Sequence, residues 1–301
     1  MEYNLLKGFL TSHNILFEQN YYTYKLSSFR SGGKAKIIIF PKTLEEFCDI
    51  LKKAKALNCK FIVLGNGTNV VFNDFGYNGA IISTRFLDYV EIKGSKMKAF
   101  CGALLADCTI FAMRKSLSGM ESLFGIPASI GGAIFMNSSA YGMEISELVE
   151  KCGVYDIEND EMLILDREAM CFGAKRSILS EKRNLILLYA IFNLSYGNLI
   201  DIKGKMLELT FKRIKSQPLD LPSCGSAFKR PQNFYASKLI DEGGLKGLKI
   251  GGAQISLKHA GFIINVNNAK SKDLLKLLDK TRLKILTKYK VSLEQEIIFV
   301  D

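Results

Sequence analysis

The stretch Gly125-Ile-Pro-Ala-Ser-Ile-Gly-Gly-Ala-Ile-Phe-Met-Asn-Ser-Ser-Ala-Tyr-Gly142 constrains this chain more than any other. Four glycines and a proline stand among small side chains, so the backbone can approach whatever it faces with no Cβ in the way. Pro127 fixes its own φ and suits a position at or just before a helix start. Such a segment presents backbone N–H donors to a phosphate. A second glycine loop, Leu64-Gly-Asn-Gly-Thr-Asn-Val-Val71, lies upstream. Two loops of this kind point to a ligand with more than one phosphate. The upstream loop is not a Rossmann fingerprint. The third glycine after Gly65-x-Gly67 is missing, and Val70-Val-Phe-Asn73 reads as a strand where that unit needs a helix.

At 301 residues the chain is long enough for two or three domains around a large core. Its longest apolar run, Leu185 to Leu194, is too short for a membrane span and reads as a buried strand. The opening Met1-Glu-Tyr-Asn lacks the basic start and apolar core of a signal peptide, so a cytoplasmic protein is expected. Seven cysteines without a C-x-x-C pair, beside only His13 and His259, argue for free, buried thiols in a reducing compartment and against a metal site. The net charge of +11 calls for anionic partners. The basic residues are spread along the chain and do not alternate with aromatics as in a single-strand-binding groove. Small polyanions, meaning nucleotides and carboxylates, fit the charge equally well, and neither a nucleic-acid nor a membrane partner is expected.

Hydrophobic periodicity gives mixed α and β elements. Ala35–Phe40 and Lys60–Leu64 read as strands around a helix that starts at Thr43 with a Thr43–Glu46 capping box and runs to about Leu57. The segment up to about residue 86 thus reads as strands and one helix. Further on, Leu105–Ser116 reads as a helix, and Gly153–Tyr155 and Glu161–Leu165 as strands about an Asn159-Asp160 turn. Asn184–Leu194 is a strand and Ile200–Ser216 a helix that ends before Pro218. The C-terminal part adds a short helix at Lys238–Glu242, strands at Ala253–Ser256 and Phe262–Asn265, a long helix at Ser271–Tyr289 capped by Ser271, and a strand at Glu296–Val300.

These motifs, taken in order, resemble the MurB family of FAD-dependent UDP-N-acetylenolpyruvoylglucosamine reductases. Ser28-Phe-Arg-Ser-Gly-Gly-Lys-Ala35 resembles its Thr-Leu-Arg-x-Gly-Gly-x-Ala segment, and Leu64-Gly-Asn-Gly-Thr-Asn69 its flavin loop. Met120-Glu-x-Leu-x-Gly-Ile-Pro127, Gly131-Gly-Ala, Met136-Asn and Ala140-Tyr-Gly142 resemble its pyrophosphate segment. Cys224-Gly-Ser-Ala-Phe-Lys229, Gly251-Gly-Ala-Gln-Ile-Ser256, Lys258-His-Ala and Leu293-Glu-Gln-Glu296 complete the set. The resemblance implies an α+β chain: an FAD-binding fold of the vanillyl-alcohol-oxidase-like (PCMH) type plus a C-terminal α+β substrate-binding domain. Residues 1–86 with 290–301 and residues 87–198 would form the two FAD-binding subdomains, and 199–289 the substrate domain of a second-subtype, monomeric enzyme.

The resemblance also implies a chemistry. NADPH reduces FAD, hydride passes to the enolpyruvyl ether of a UDP-sugar in peptidoglycan synthesis, and a proton reaches the neighbouring carbon. Ser226 matches the family's proton donor, and Glu296 matches its catalytic glutamate. Burial in an apolar strand is expected to raise the pKa of Glu296 and keep it a hydrogen-bond donor to the enolate oxygen. The family's arginine falls in Phe172-Gly-Ala-Lys-Arg-Ser177, where Lys175 takes its place and Arg176 follows one position later. Ile298 stands where the family often has a second arginine. For FAD the implied residues are Gly65, Asn66, Gly67, Thr68, Asn69, Val70, Ile126, Pro127, Gly131, Gly132, Asn137 and Gly142; for substrate, Lys229 and Gln254. Tyr141 suits either flavin stacking or core packing. Two other readings remain: a flavin oxidoreductase of the same fold with a different substrate, and a basic nucleic-acid-binding protein with no redox role.

Overall fold

A computed structural model describes residues 2–301; Met1, the first residue of the expected N-terminal part, lies outside the described residues. The chain divides into two compact units. One comprises residues 2–19, 37–66 and 79–211, the other residues 20–36, 67–78 and 212–301.

A four-stranded sheet runs in the order Leu16–Tyr22, Lys34–Phe40, Tyr77–Ser83, Phe61–Leu64, and its last two strands pair in parallel from Phe61↔Ala80 to Leu64↔Ser83. Helix Leu44–Ala56 takes half of the expected capping box: the Thr43 hydroxyl accepts the Glu46 N–H at 3.1 Å, while the Glu46 carboxylate accepts the Lys42 N–H at 2.7 Å. Its Phe47, Ile50, Leu51 and Ala54 are buried at helical spacing. A five-stranded antiparallel sheet follows, ordered Glu161–Asp166, Val149–Asp156, Leu185–Asn193, Lys96–Phe100, Val90–Lys93. One apolar cluster joins these elements, with Ile39, Met97, Ile134 and Phe192 among its most buried members. The segment up to residue 86 holds one more helix than expected, Glu2–Ser12. Only Leu6 and Leu10 are buried on it, a stripe too thin to stand out from the sequence.

In the second unit an antiparallel sheet is ordered Ser223–Ser226, Phe262–Asn265, Ala253–Ile255, Lys249–Ile250. Strand Ile298–Val300 pairs in parallel with Val70–Phe72. Helix Ser271–Tyr289 buries Leu274, Leu277, Leu278 and Ile285 in a second apolar cluster with Phe29, Ile263 and Ile297. Two sequence expectations are corrected here. Ser271 is the first helical residue rather than the cap, and the Asp273 carboxylate accepts the Lys270 N–H instead. The C-terminal strand starts at Ile298, so Glu296 precedes it, because the segment around Glu296 bonds to a different neighbour.

All seven cysteines are free, and Cys171 alone is exposed. Burial pushes the Cys101, Cys108 and Cys152 thiols up to about 12. They pack as small apolar groups.

The start of the C-terminal helix depends on a distant carboxylate. Asp74 accepts the N–H of Ser271 at 2.7 Å and of Lys272 at 3.3 Å, while its own N–H donates to the Ser271 hydroxyl at 3.1 Å. Replacing Asp74 by Ala removes a cap and a favourable charge at a helix N-terminus. Urea denaturation is expected to show a loss of about 1–2 kcal/mol.

Candidate active site

In the first unit the two glycine loops meet. Asn66 Nδ2 donates to the Pro127 carbonyl at 2.7 Å, and a Cβ on Gly65 would lie 2.1 Å from the Ser129 hydroxyl. Only glycine allows this approach. The Ser129 hydroxyl accepts the Gly132 N–H and so caps the short helix Ile130–Phe135. The row of donors differs from the one expected. The Ile130 and Gly131 amides are engaged by the carbonyls of Ala103 and Cys101 at 2.8 and 2.7 Å. Gly131 serves close packing, since its Cβ would stand 3.0 Å from the Cys101 carbonyl oxygen. Among the described residues, the amides of Gly65, Asn66, Ala128 and Ser129 have no protein acceptor, nor do those of Gly67, Thr68 and Asn69 further along the loop. Backbone donors without a protein acceptor need water or a ligand, and a row of them suits a pyrophosphate.

The other first-unit candidates hold the backbone around these loops. The Ile126 N–H donates to the Leu123 carbonyl at 3.0 Å. Asn137 is buried, and its amide nitrogen donates to Glu144 at 2.8 Å and to the Gly173 carbonyl at 3.0 Å, while its oxygen accepts the Ser146 N–H. Tyr141 and Gly142 both have positive φ, 53° and 84°, and form a two-residue hairpin turn between Ala140 and Met143. The Tyr141 hydroxyl donates to the Leu209 carbonyl at 3.1 Å. Asn137 also steadies the Gly173–Arg176 turn, which carries Lys175 with a left-handed backbone, φ 57°. Arg176 is paired with Glu181 at 3.1 Å.

In the second unit Ser226 and Glu296 come together. The Glu296 N–H donates to the carbonyl of Ala227 at 3.0 Å, and Phe228 faces Gln295 across an antiparallel bridge. Asn69 supports the same segment. Its side-chain amide donates to the Glu296 carbonyl at 3.0 Å, and its own carbonyl accepts the Ile298 N–H at 2.9 Å. The Val70 carbonyl accepts from the Ser27 hydroxyl at 2.6 Å and from the Cys224 thiol at 3.5 Å, which ties down the strand that ends in Ser226. The Thr68 carbonyl accepts the Ser28 hydroxyl at 3.4 Å. Ser226 is exposed, and its hydroxyl bonds to no described protein group. Glu296 is half-buried rather than buried as expected, because it lies outside the strand. Glu294 is exposed and paired with Lys229 at 2.6 Å, while Gln254 donates to the Gly247 carbonyl at 3.1 Å.

Sequence reasoning missed a cavity of 360 Å³ in this unit, lined by Tyr235, Asp241, Lys246, Lys258 and His259 among others. Its one sequence signal was the Lys258-His-Ala motif. The His259 ring accepts the Gly261 N–H on Nδ1 at 3.1 Å, which leaves its proton on Nε2. Burial, aided by the Lys246 charge, holds His259 below its usual value.

Comparison with known proteins agrees with both halves. Residues 35–163 match the family model of an FAD binding domain, and residues 217–300 that of the UDP-N-acetylenolpyruvoylglucosamine reductase C-terminal domain. A UDP-N-acetylenolpyruvoylglucosamine reductase of Caldicellulosiruptor bescii is 42% identical over 97% of this chain and 93% of its own length. The chain belongs to the MurB family. A protein of the same name from Lactococcus lactis subsp. cremoris is 42% identical over 92% of this chain and 90% of its own length. The crystal structure of the MurB enzyme from Thermus caldophilus superposes with a TM-score of 0.81 at 30% identity, covering 95% of this chain and 99% of that one. The expected fold, an FAD-binding part followed by a C-terminal α+β domain, is the observed one.

Two predictions follow from the geometry. Gly67 has φ 65°, and a Cβ there would stand 1.7 Å from the Leu26 carbonyl oxygen. Gly67→Ala is therefore expected to cost about 1–3 kcal/mol in urea denaturation and to lower the flavin content of purified protein. His259 has a folded pKa below its unfolded one, so the unfolded state binds more protons as pH falls. Wild-type stability is expected to decline as pH drops through and below the range where a free histidine titrates. His259→Gln should flatten that decline in pH-dependent thermal melts.

Proposed function

We propose that this chain reduces the enolpyruvyl ether of UDP-N-acetylglucosamine-enolpyruvate to UDP-N-acetylmuramate, with FAD as bound cofactor and NADPH as co-substrate, in peptidoglycan synthesis. The observation that carries the reading is the backbone bond from Glu296 to Ala227, which sets the two expected catalytic residues on neighbouring segments. FAD, when bound, supplies hydride transfer between NADPH and the vinyl ether. The unpartnered amides of the glycine loops suit its pyrophosphate.

The chain's own residues supply the proton and the charge balance. Ser226 delivers a proton to the carbon left electron-rich next to the carboxylate. A serine hydroxyl is a weak acid, but a carbanion is a strong base, so placement matters more than acidity. Glu296 hydrogen-bonds the enolate oxygen as charge develops there. Lys175 stands in the place of the family's arginine as the stabilising cation, with Arg176 one position later as the alternative. As a lysine it gives a point charge in place of a bidentate fork. Lys229 and Gln254 are the residues read as contacting the sugar nucleotide; the nearby cavity sets Lys258 and His259 beside a Lys246–Asp241 pair at 2.6 Å and Glu242. On this reading residues 1–86 with 290–301 and 87–198 hold the flavin, and 199–289 bind the sugar nucleotide. The enzyme works as a cytoplasmic monomer and contributes to cell shape and division through cell-wall synthesis.

Stopped-flow kinetics separate the roles. Ser226→Ala is expected to abolish sugar reduction while flavin reduction by NADPH stays nearly intact; equal loss of both half-reactions overturns the proton-donor role. Glu296→Gln is expected to slow turnover about a hundredfold or more. Whichever of Lys175→Ala and Arg176→Ala slows turnover more identifies the stabilising cation, and no effect of either overturns the role.

A further inference from the structure

Helix Ser271–Tyr289 turns its buried side, Leu274, Leu277, Leu278 and Ile285, into the second unit. At about 100° per residue, Leu275, Leu283 and Leu286 fall together on the outer side, among Lys272, Lys276 and Asp279. These leucines are 40%, 66% and 45% exposed. The acids offer little to offset the lysines. Asp279 is paired with Arg282 at 3.4 Å, and Asp273 accepts the N–H groups of Gly252 and Lys270. Lys280 borders the sector.

Phe75 stands beside the N-terminal end of this helix and is 99% exposed. Its loop is held rigidly. The Phe75 N–H donates to the Asn73 side chain at 2.9 Å, the Gly76 N–H to the Asn73 carbonyl at 2.8 Å, and Asp74 caps the helix. A Cβ on Gly33 would meet the Phe75 carbonyl carbon at 2.7 Å, so the backbone has no room to withdraw. A single exposed apolar side chain is ordinary. A phenyl ring on a fixed loop, next to a helix face that mixes leucines with lysines, is a different arrangement.

We propose that Phe75 and the outer face of helix Ser271–Tyr289 dock the protein peripherally on an anionic lipid bilayer. Apolar tips reach the acyl boundary while lysine stems lie along the surface and their ammonium groups meet the lipid phosphates. The chain's net charge of +11 adds long-range attraction to such a surface. Nucleic acid fits less well: leucines cannot stack on bases, and a convex helix face offers no groove. A second copy would bring lysines against lysines. No described helix is long and apolar enough to cross a membrane, but a peripheral contact needs none.

Co-sedimentation of the flavin-loaded, full-length protein with vesicles tests this. Wild type is expected to sediment with phosphatidylcholine–phosphatidylglycerol vesicles at low salt, not with phosphatidylcholine alone, and to be released by high salt. The double variant Phe75→Ser, Leu283→Gln should bind about tenfold more weakly or worse, with unchanged melting temperature and unchanged turnover. Lys272→Gln, Lys276→Gln should lose much of the salt dependence. Failure to bind the anionic vesicles overturns the proposal, as does equal binding by the double variant. Displacement from vesicles by single-stranded RNA, with RNA binding lost in the same variant, would assign the surface to nucleic acid instead. Self-association of wild type that the double variant abolishes would assign it to a second copy. Turnover of the sugar is not read as evidence for docking, so the two proposals fail independently.

Discussion

Three stretches of chain far apart in sequence, Gly67–Phe72, Ser223–Lys229 and Glu294–Val300, are stitched into one hydrogen-bonded ribbon in the second unit. Asn69 is its centre, because it bonds the segment carrying Glu296 through both its side chain and its backbone. Each such bond contributes only about 1 kcal/mol net. Their joint effect is directional: Ser226 and Glu296 cannot drift apart without breaking several backbone bonds at once. Gly67 stands one turn before this centre, where its positive φ lets the loop pass against Leu26. The ribbon gives the glutamate a fixed peptide frame while leaving the residue half-buried.

The first unit handles a different physical problem. Its glycine loops leave backbone donors without protein partners, an arrangement that is costly unless water or a ligand completes it. The surrounding chemistry keeps that edge rigid. Asn137 uses both its amide hydrogens within the protein, and Ser129 closes the helix that backs the loop. Buried cysteines in this core stay protonated and inert, so the unit offers no competing nucleophile from its interior.

Much of this was legible in the sequence because glycine, proline and periodic apolar residues leave type-specific marks. Gly65, Gly67, Gly131 and the Tyr141-Gly142 turn all occupy positions where a Cβ or an ordinary φ is excluded or disfavoured. The long helices follow from their apolar spacing. What stayed hidden depends on partners far along the chain. Ser271 looked like a cap, yet the helix takes its capping from Asp74, 197 residues away. The Ile130 and Gly131 amides are taken by Ala103 and Cys101, acceptors that no local pattern announces, while the expected loop around Asn66 keeps its donors. Lys229 and Glu294 pair across 65 residues, and the cavity around His259 joins the helix expected at Lys238–Glu242 to the separate Lys258-His-Ala motif.

The partition of the chain has a bearing on how it is made. The first unit draws on nothing beyond residue 211, whereas the second waits for residues 212–301 before its core can close. During synthesis from the N-terminus, Phe29, Val71 and Phe72 leave the ribosome long before Ile263, Leu278 and Ile297 exist to cover them. Nascent chains therefore pass through an interval in which one half is finished and two short apolar segments of the other stand uncovered, a window in which chaperone capture competes with completion.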